Sequence, residues 1–232
     1  MSENAPTAVS TLILGESHCT AISRAIVDSG ETNLTAIDVR VGAGPSKINE
    51  ELFANLNPCR VILAFGGTEH NILGLVEAEP RFDFIWPPFE DFIGDRCLVP
   101  ASALEELLAW RMHSALTRAL SVRERFSCPV YALAPPPAFR VVDERAKLPS
   151  AFNDLLAAGI APGTVRRKLY AMQCDLARAA YAKEDITYIP APPAAVDEDG
   201  YLLRALWNKD PTHGNRTYGR LVVDHLKDVL DA

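Results

Sequence analysis

Hydrophobic and polar positions along the chain follow two alternating patterns. Short apolar runs predict strands, and after most of them apolar positions recur every three or four residues, which predicts a helix. The predicted strands cover residues 11–14, 34–41 and 60–65, followed by the runs "CPVYALAPPP" and "ITYIP". The predicted helices cover residues 19–28, 48–55, 102–126 and 163–183, and the second half of "WNKDPTHGNRTYGRLVVDHLKDVL".

Residues at the ends of these elements sharpen the boundaries. Gly30 is expected to stop the first helix, and Pro58 to break the chain before the third strand. Ser102 and Glu105 have the spacing of a capping box, which predicts the start of the long helix. Residues 80–100, "PRFDFIWPPFEDFIGDRCLVP", are rich in aromatics and proline and show no period. We interpret them as an excursion or partial lid.

The alternation of strands and helices defines the fold class. Five strands separated by helices are typical of an α/β fold, and an apolar strand such as residues 60–65 suits a parallel sheet covered on both faces. The sequence therefore predicts a three-layer α/β/α sandwich around a mostly parallel five-stranded sheet, of the doubly wound, flavodoxin-like kind. No repeat or linker divides residues 1–232, so we expect one domain.

Composition and charge narrow the function classes. The 232 residues are enough to bury a core without disulfides or metals. A formal net charge of −7 argues against nucleic acid as the main partner. The N-terminal segment "MSENAPTAVSTLILG" has neither a basic start nor a long apolar run, so we expect no secretory signal. We also expect no membrane span, because no apolar run approaches about 20 residues. The five cysteines are odd in number and lack CxxC spacing, which predicts reduced thiols in a cytoplasmic protein.

Polar and glycine-rich loops follow the predicted strands. They contain Ser17-His18, Gly42-Ala43-Gly44, the block from Gly66 to Asn71, and Pro135-Pro136-Pro137. The carboxyl ends of parallel strands meet at one edge of a sheet, and ligands bind there in doubly wound folds. We therefore expect all four loops to face the same edge.

Ser17 lies between the first strand and the first helix. Its N–H would then lie at the positive end of that helix, where an oxyanion is stabilised. A serine hydroxyl becomes a nucleophile only beside a base, so the alternative role for Ser17 is an ordinary helix cap. Cys19, two residues on, is the alternative nucleophile.

The motif "DPTHG", residues 210–214, offers such a base. Asp210 precedes His213 by one turn of chain and could accept its Nδ1–H, which would leave Nε2 to take a proton. The alternatives are a helix cap for Asp210 and a solvated or core histidine for His213.

The other histidines have weaker cases for the base role. The side chain of His18 is expected to splay away from that of the preceding serine, whereas His70, at a sheet end, is a candidate substrate contact. His113 and His225 fall inside predicted helices, where a structural role is expected. No group of residues has zinc-ligand spacing, so we predict no metal and no cofactor.

Taken together, these motifs resemble the SGNH (GDSL-type) hydrolase superfamily. The block "GESH", residues 15–18, follows the first strand, glycine-rich blocks follow the second and third, and a D-x-x-H motif comes late. The resemblance implies the SGNH-hydrolase fold, with Ser17 as nucleophile and with Asp210 and His213 as acid and base. It also implies that the N–H groups of Ser17 and Gly44 form part of the oxyanion hole, with Gly42 as the alternative register for Gly44.

Two positions depart from the superfamily pattern. Glu16 stands where aspartate is more frequent. Members usually have an asparagine two residues after the first glycine of the third block, but here Thr68 follows Gly66 at that spacing, and the nearest asparagine is Asn71. Thr68 and Asn71 are thus the two candidates for the third oxyanion donor. Losing one such donor slows the reaction by a factor of roughly 10²–10³. The absence of asparagine at this spacing therefore points to a slower enzyme, an altered acceptor or a lost activity.

The resemblance implies a serine esterase acting on a small-molecule ester or an acylated carbohydrate, such as an O-acetyl ester. Trp86 and Phe89 of the excursion are further candidate substrate contacts, and the alternative for them is a packed flap or a dimer contact. The same site could transfer the acyl group to an alcohol. Two non-catalytic alternatives stay open: an α/β module whose glycine loops cradle a phosphate, and a scaffold of the same fold. A homo-oligomer is also an open alternative.

Overall fold

A parallel five-stranded sheet runs through the computed structural model, which describes residues 7–43, 47–142 and 159–230. The strands of the sheet, β1 (Thr7–Gly15), β2 (Leu34–Asp38), β3 (Leu56–Ala64), β6 (Val130–Leu133) and β7 (Thr187–Ile189), lie in the order β2-β1-β3-β6-β7. Two short strands, β4 (Phe82–Asp83) and β5 (Cys97–Leu98), form a separate sheet. The helices are α1 (Cys19–Ser29), α2 (Glu69–Gly74), α3 (Ala101–Arg123), α4 (Gly163–Ala182) and α5 (Arg216–Leu230).

Alternate residues of the central strands face two separate apolar cores. In β1, Leu12 and Leu14 pack in the cluster that holds residues of α3 and α4, whereas Ile13 packs in the cluster that holds residues of α1 and α5. The side chains of Leu12, Ile13 and Leu14 are fully buried. Burying each of them stabilises the fold by about 1.5–3 kcal/mol. Helices thus cover both faces of the sheet, which confirms the predicted three-layer α/β/α fold.

Every strand pair of the main sheet is parallel, so the strands end at a common edge. Gly15 of β1 lies opposite both Asp38 of β2 and Ala64 of β3 at that edge. The loops that follow β1, β3 and β6 therefore start side by side, as expected from the sequence. Gly44 lies outside the described residues, so its predicted place in the oxyanion hole has no structural account.

The strand boundaries differ from the predicted ones, most clearly at Pro58. β1 is longer than predicted and β2 is shorter, while Pro58 lies inside β3, in register with Val9 of β1. The prediction that Pro58 breaks the chain is wrong. Pairing between β3 and β6 begins only at Val61. At Pro58, β3 is therefore paired with β1 alone, and the N–H that proline lacks is not needed for a hydrogen bond to β6.

Two predicted helix features are also wrong. The helix expected at 48–55 is a single 3₁₀ turn, Glu50–Leu52, where the Asn49 side chain accepts from Glu51 N at 3.3 Å and donates to Val41 O at 2.9 Å. Such side-chain bonds compete with helix propagation. The capping box at Ser102 is absent as well, because α3 already begins at Ala101 after Pro100, without any side-chain cap.

The aromatic excursion is fixed to α4 by a buried ion pair. Lys168 Nζ of α4 lies 2.6 Å from Asp83 Oδ1 of β4, and both side chains are 0% exposed. The same ammonium group donates to the carbonyl oxygens of Phe84 and Asp91, each at 2.7 Å. The excursion is thus tied to the sandwich at several points of its backbone. None of the helices in the described parts of the chain is long and apolar enough to span a membrane.

Candidate active site

Ser17 is placed by a close approach of β1 and β3. A Cβ on Gly15 would lie 2.1 Å from Ala64 O, so only glycine fits where β1 ends. Glu16, Ser17 and His18 then form the turn into α1. The N-cap position of α1 is His18, which makes no side-chain capping bond, and the Ser17 hydroxyl instead bonds to His213 Nε2 at 2.8 Å. The capping role considered for Ser17 is therefore not the one its hydroxyl fills.

Asp210 and His213 form a tight polar turn. His213 Nδ1 donates to Asp210 Oδ1 at 2.7 Å, which leaves Nε2 as the acceptor for the Ser17 hydroxyl. The same carboxylate oxygen accepts from Thr212 N at 3.0 Å and from Thr212 Oγ1 at 2.7 Å, while Asn208 Nδ2 donates to Oδ2 at 3.1 Å. Burial alone would raise the pKa of Asp210, but hydrogen bonds from His213 and Thr212 outweigh it and lower that pKa to about 2. The carboxylate is thus ionised and can hold the imidazole in this tautomer.

The turn precedes the last helix and does not open it. α5 begins at Arg216, and its cap is Asn215, whose Oδ1 accepts from Thr217 N at 2.8 Å and Tyr218 N at 3.1 Å. The Asn215 amide also donates to Trp207 O at 3.1 Å, which ties the loop before the turn to the helix. The helix-cap alternative for Asp210 is wrong, because a later asparagine has that role. Asn215 was detectable as a strong N-cap residue type directly before the apolar periodic segment.

His18 lies beside His213 as a neutral histidine. The two ring centroids are 4.9 Å apart, and both nitrogens of His18 are shielded from solvent with no hydrogen-bond partner. Burial, followed by repulsion from His213, lowers the pKa of His18 to about 3. A ring with such a pKa is a poor proton acceptor at neutral pH, in line with the expectation that His18 is not the base.

His70, a predicted substrate contact, lies in the interior. Its ring is packed edge-on against Tyr170 of α4, and Nδ1 lies 3.0 Å from Gln173 Oε1, which also accepts the His70 N–H at 2.7 Å. The residue is 1% exposed, and burial lowers its pKa to about 4. Its contacts are therefore those of a core residue between α2 and α4.

Two glutamates hold the glycine turn after β3. Gly66 and Gly67 have φ values of +66° and +99°, and their N–H groups donate to Glu16 Oε2 at 3.4 Å and to Glu69 Oε2 at 2.7 Å. A Cβ on Gly67 would lie 2.5 Å from Pro135, so the turn needs glycine for both conformation and space. Because the N–H groups of Gly66 and Gly67 are already hydrogen-bonded, a free donor in the block from Gly66 to Asn71 has to come from Thr68 or a later residue.

Thr68 and Asn71, the candidates for the third oxyanion donor, lie directly after this turn. Thr68 is at the N-cap of α2 and makes no side-chain capping bond. Asn71 is 4% exposed and its N–H donates to Thr68 O at 3.0 Å. The choice between these two side chains stays a prediction.

Glu16, which replaces the more frequent aspartate, reaches across to α3. Arg118 donates to Glu16 Oε1 from Nε at 3.1 Å and from Nη2 at 2.6 Å. Glu16 thus joins α3 to the turn that carries Ser17 and, through Gly66, to the loop after β3. Sequence reasoning missed this link, because nothing near Glu16 in the sequence indicates a partner 102 positions away.

A pocket of about 320 Å³ opens beside Ser17 and His213. Its walls come from α1, from the loop around Asp210 and from the start of α5. Trp86 and Phe89, the other predicted substrate contacts, do not line it. They face each other across a tight turn of the excursion, and Arg167 lies over the Phe89 ring at 4.2 Å. These contacts of Trp86 and Phe89 fit the alternative of a packed flap better than a role in substrate contact.

Cys19, the alternative nucleophile, lies in an environment that does not activate its thiol. Cys19 is buried, and burial raises the pKa of its thiol far above the ordinary value, so a reactive thiolate is disfavoured. All five cysteines are unpaired. Within residues 7–43, 47–142 and 159–230, no three histidine, cysteine or acidic side chains are grouped so as to hold a metal ion.

Comparison with solved structures gives the fold of known hydrolases. A protein from Bacteroides fragilis NCTC 9343 assigned as an acylhydrolase superposes with a TM-score of 0.53 at 11% identity, over 96% of this chain and 86% of that one. A carbohydrate acetylesterase family member from Sinorhizobium meliloti superposes with a TM-score of 0.50 at 12% identity, over 96% and 97% of the two chains. Neither the family models nor the curated proteins give a match to the sequence. The chain thus has the fold of SGNH-type esterases and acylhydrolases, as the motifs implied.

Proposed function

We propose that the protein is a serine esterase that cleaves carboxylic esters through an acyl-enzyme on Ser17. The observation that carries the proposal is the continuous hydrogen-bonded chain from Ser17 Oγ through His213 to the ionised Asp210. A hydroxyl, an imidazole whose Nε2 can accept its proton and a partly buried carboxylate in this order make up the standard arrangement for activating a serine.

The positions of these groups support a two-step reaction. Ser17 Oγ attacks the ester carbonyl carbon while His213 Nε2 takes the hydroxyl proton, and Asp210 stabilises the imidazolium that forms. The negative oxygen faces the Ser17 N–H at the start of α1, with Gly44 and either Thr68 or Asn71 as the further proposed donors. His213 then gives its proton to the leaving alcohol, and the carbon–oxygen bond breaks.

Water completes the cycle. The side chains of His213 and Asp210 are 24% and 23% exposed, so solvent reaches the base. His213 takes a proton from water as the water attacks the acyl-enzyme, and returns that proton to Ser17 Oγ as the bond to the acyl carbon breaks and the acid product leaves. Solvent access favours hydrolysis over transfer to another alcohol, which requires water to be excluded. The match to an acetylesterase fold makes acetylated carbohydrates the first substrates to test.

Ester hydrolysis by the wild type and by Ser17→Ala tests the proposal. We expect the wild type to release acetate from an aryl acetate or an acetylated sugar, and Ser17→Ala to lose that activity by at least about 10³-fold. Ser23→Ala, in the same helix, is the matched control and is expected to keep full activity. Hydrolysis by Ser17→Ala at the wild-type rate, with an unchanged circular dichroism spectrum, would refute the role of Ser17.

A further inference from the structure

One wall of the pocket beside Ser17 is a continuous face of α1. Thr20, Ala21 and Arg24 follow Ser17 at three, four and seven residues, which is the spacing of one helical face, and all of them line the pocket. Arg24 lies about 10 Å from Ser17 along the helix axis. A guanidinium group therefore lies about two turns along the same wall as the nucleophile.

A second arginine lines the pocket from α5. Arg216, the first residue of α5, is ion-paired through Nε with Asp28 of α1. This pair holds Arg216 close to the C-terminal end of α1. The pocket wall thus carries two guanidinium groups, each with several N–H donors.

The acidic group in the pocket does not neutralise Arg24. Asp210 is the one carboxylate among the lining residues, and its two oxygens already accept bonds from Thr212, His213 and Asn208. Among the residues that the structure describes, Arg24 forms no salt bridge, and its side chain is exposed. In a chain with a net charge of −7, the Arg24 guanidinium is thus a positive charge without a salt-bridge partner at the site where substrate would enter.

We propose that this pocket binds an anionic group, a carboxylate or a phosphate, carried by the ester substrate, with Arg24 as the main charge and Arg216 beside it. Guanidinium groups bind these anions through paired N–H donors. The assignment of the anion to a substrate rests on the proposed esterase function, whereas the binding of the anion does not. Arg24 thereby becomes a specificity determinant for charged over neutral esters.

Binding to the Ser17→Ala variant tests this inference without relying on turnover. Each of two matched pairs compares a free carboxylate with its methyl ester: monomethyl succinate against dimethyl succinate, with the charge on the acyl side, and 4-acetoxybenzoate against its methyl ester, with the charge on the alcohol side. Calorimetric titration is expected to show about 10- to 100-fold tighter binding of the charged member in at least one pair, the range for charge-assisted hydrogen bonds. Inorganic phosphate is expected to compete.

Charge-removing variants assign the effect to the pocket. Arg24→Gln, added to Ser17→Ala, is expected to abolish most of the preference for the charged ester, and higher salt is expected to weaken it. Arg220→Gln, which removes an exposed arginine of α5 outside the pocket, is the matched control and is expected to retain it. Equal binding of charged and neutral members in both pairs, or a preference that survives Arg24→Gln, would overturn the inference. Failure of the esterase proposal would appear separately, as a wild type that hydrolyses none of the four esters.

Discussion

The imidazole of His213 lies 2.8 Å from the hydroxyl of Ser17, although the two residues are 196 positions apart in the chain. The contact depends on how α1 and α5 pack. A Cβ on Gly219 of α5 would lie 2.2 Å from the carbonyl oxygen of Ala21 in α1, so glycine allows the two helices to approach closely. The turn into α1 carries Ser17 and the turn before α5 carries His213, and their meeting is thus a property of the packed sandwich.

Asp210→Asn is expected to lower kcat by roughly 10³–10⁴-fold with little change in KM, because an amide can donate to Nδ1 and favour the wrong imidazole tautomer. Steady-state hydrolysis of an aryl acetate measures this change. Asn208→Ala, which removes only one donor to the carboxylate, serves as control and is expected to lose less than about 10-fold. Comparable losses in the two variants would contradict the assigned role of Asp210.

The buried His70 is expected to make stability fall in mild acid. Burial lowers its folded-state pKa to about 4, below the ordinary value of 6.5. Below pH 6.5 the unfolded chain binds a proton at this histidine, whereas the folded chain does so only near about pH 4, so stability is lost as pH falls through this window. At about pH 5 the loss is ~2 kcal/mol.

Urea unfolding between about pH 7.5 and about pH 5 measures this effect. His70→Asn is expected to flatten the pH dependence by that amount, and His113→Asn, at an exposed site of α3, to leave it unchanged. An identical pH dependence in the wild type and in His70→Asn would show that His70 is not held neutral by burial.

Lys168→Met is expected to destabilise the fold by about 3–5 kcal/mol, because it leaves the buried carboxylate of Asp83 without its cation. Adding Asp83→Asn should recover part of the loss. Arg178→Met breaks an exposed pair with Asp175 and is expected to cost less than about 1 kcal/mol. Equal free energies of unfolding for the two single variants would contradict a stabilising role for the buried pair.

The five-stranded sheet and the hydrogen-bonded residues at its edge were predictable because short local sequence patterns indicate them. Apolar runs marked all five main strands, and Ser17, Asp210 and His213 stand in short motifs whose order along the chain is informative. The C-terminal stop of α1 at Gly30 was also correct, since glycine there adopts φ +64°.

Contacts between distant elements were not predictable in the same way. Gln173 lies 103 positions from His70, and no local signal pairs them. Lys168 offered a partial signal, because it falls on the apolar face of α4 with Val165 and Met172, where a charge needs a buried partner. The cytoplasmic location stays a prediction, and a homo-oligomer stays an open alternative.

Covalent labelling by a fluorophosphonate is the sharpest test of Ser17 as the nucleophile. Such a probe reacts with a serine only when a neighbouring base activates it. We expect one adduct per chain, located by peptide mass mapping at Ser17, absent from Ser17→Ala and formed much more slowly in Asp210→Asn. A folded wild-type protein that forms no adduct, or one that is labelled equally well after Ser17→Ala, would contradict that role.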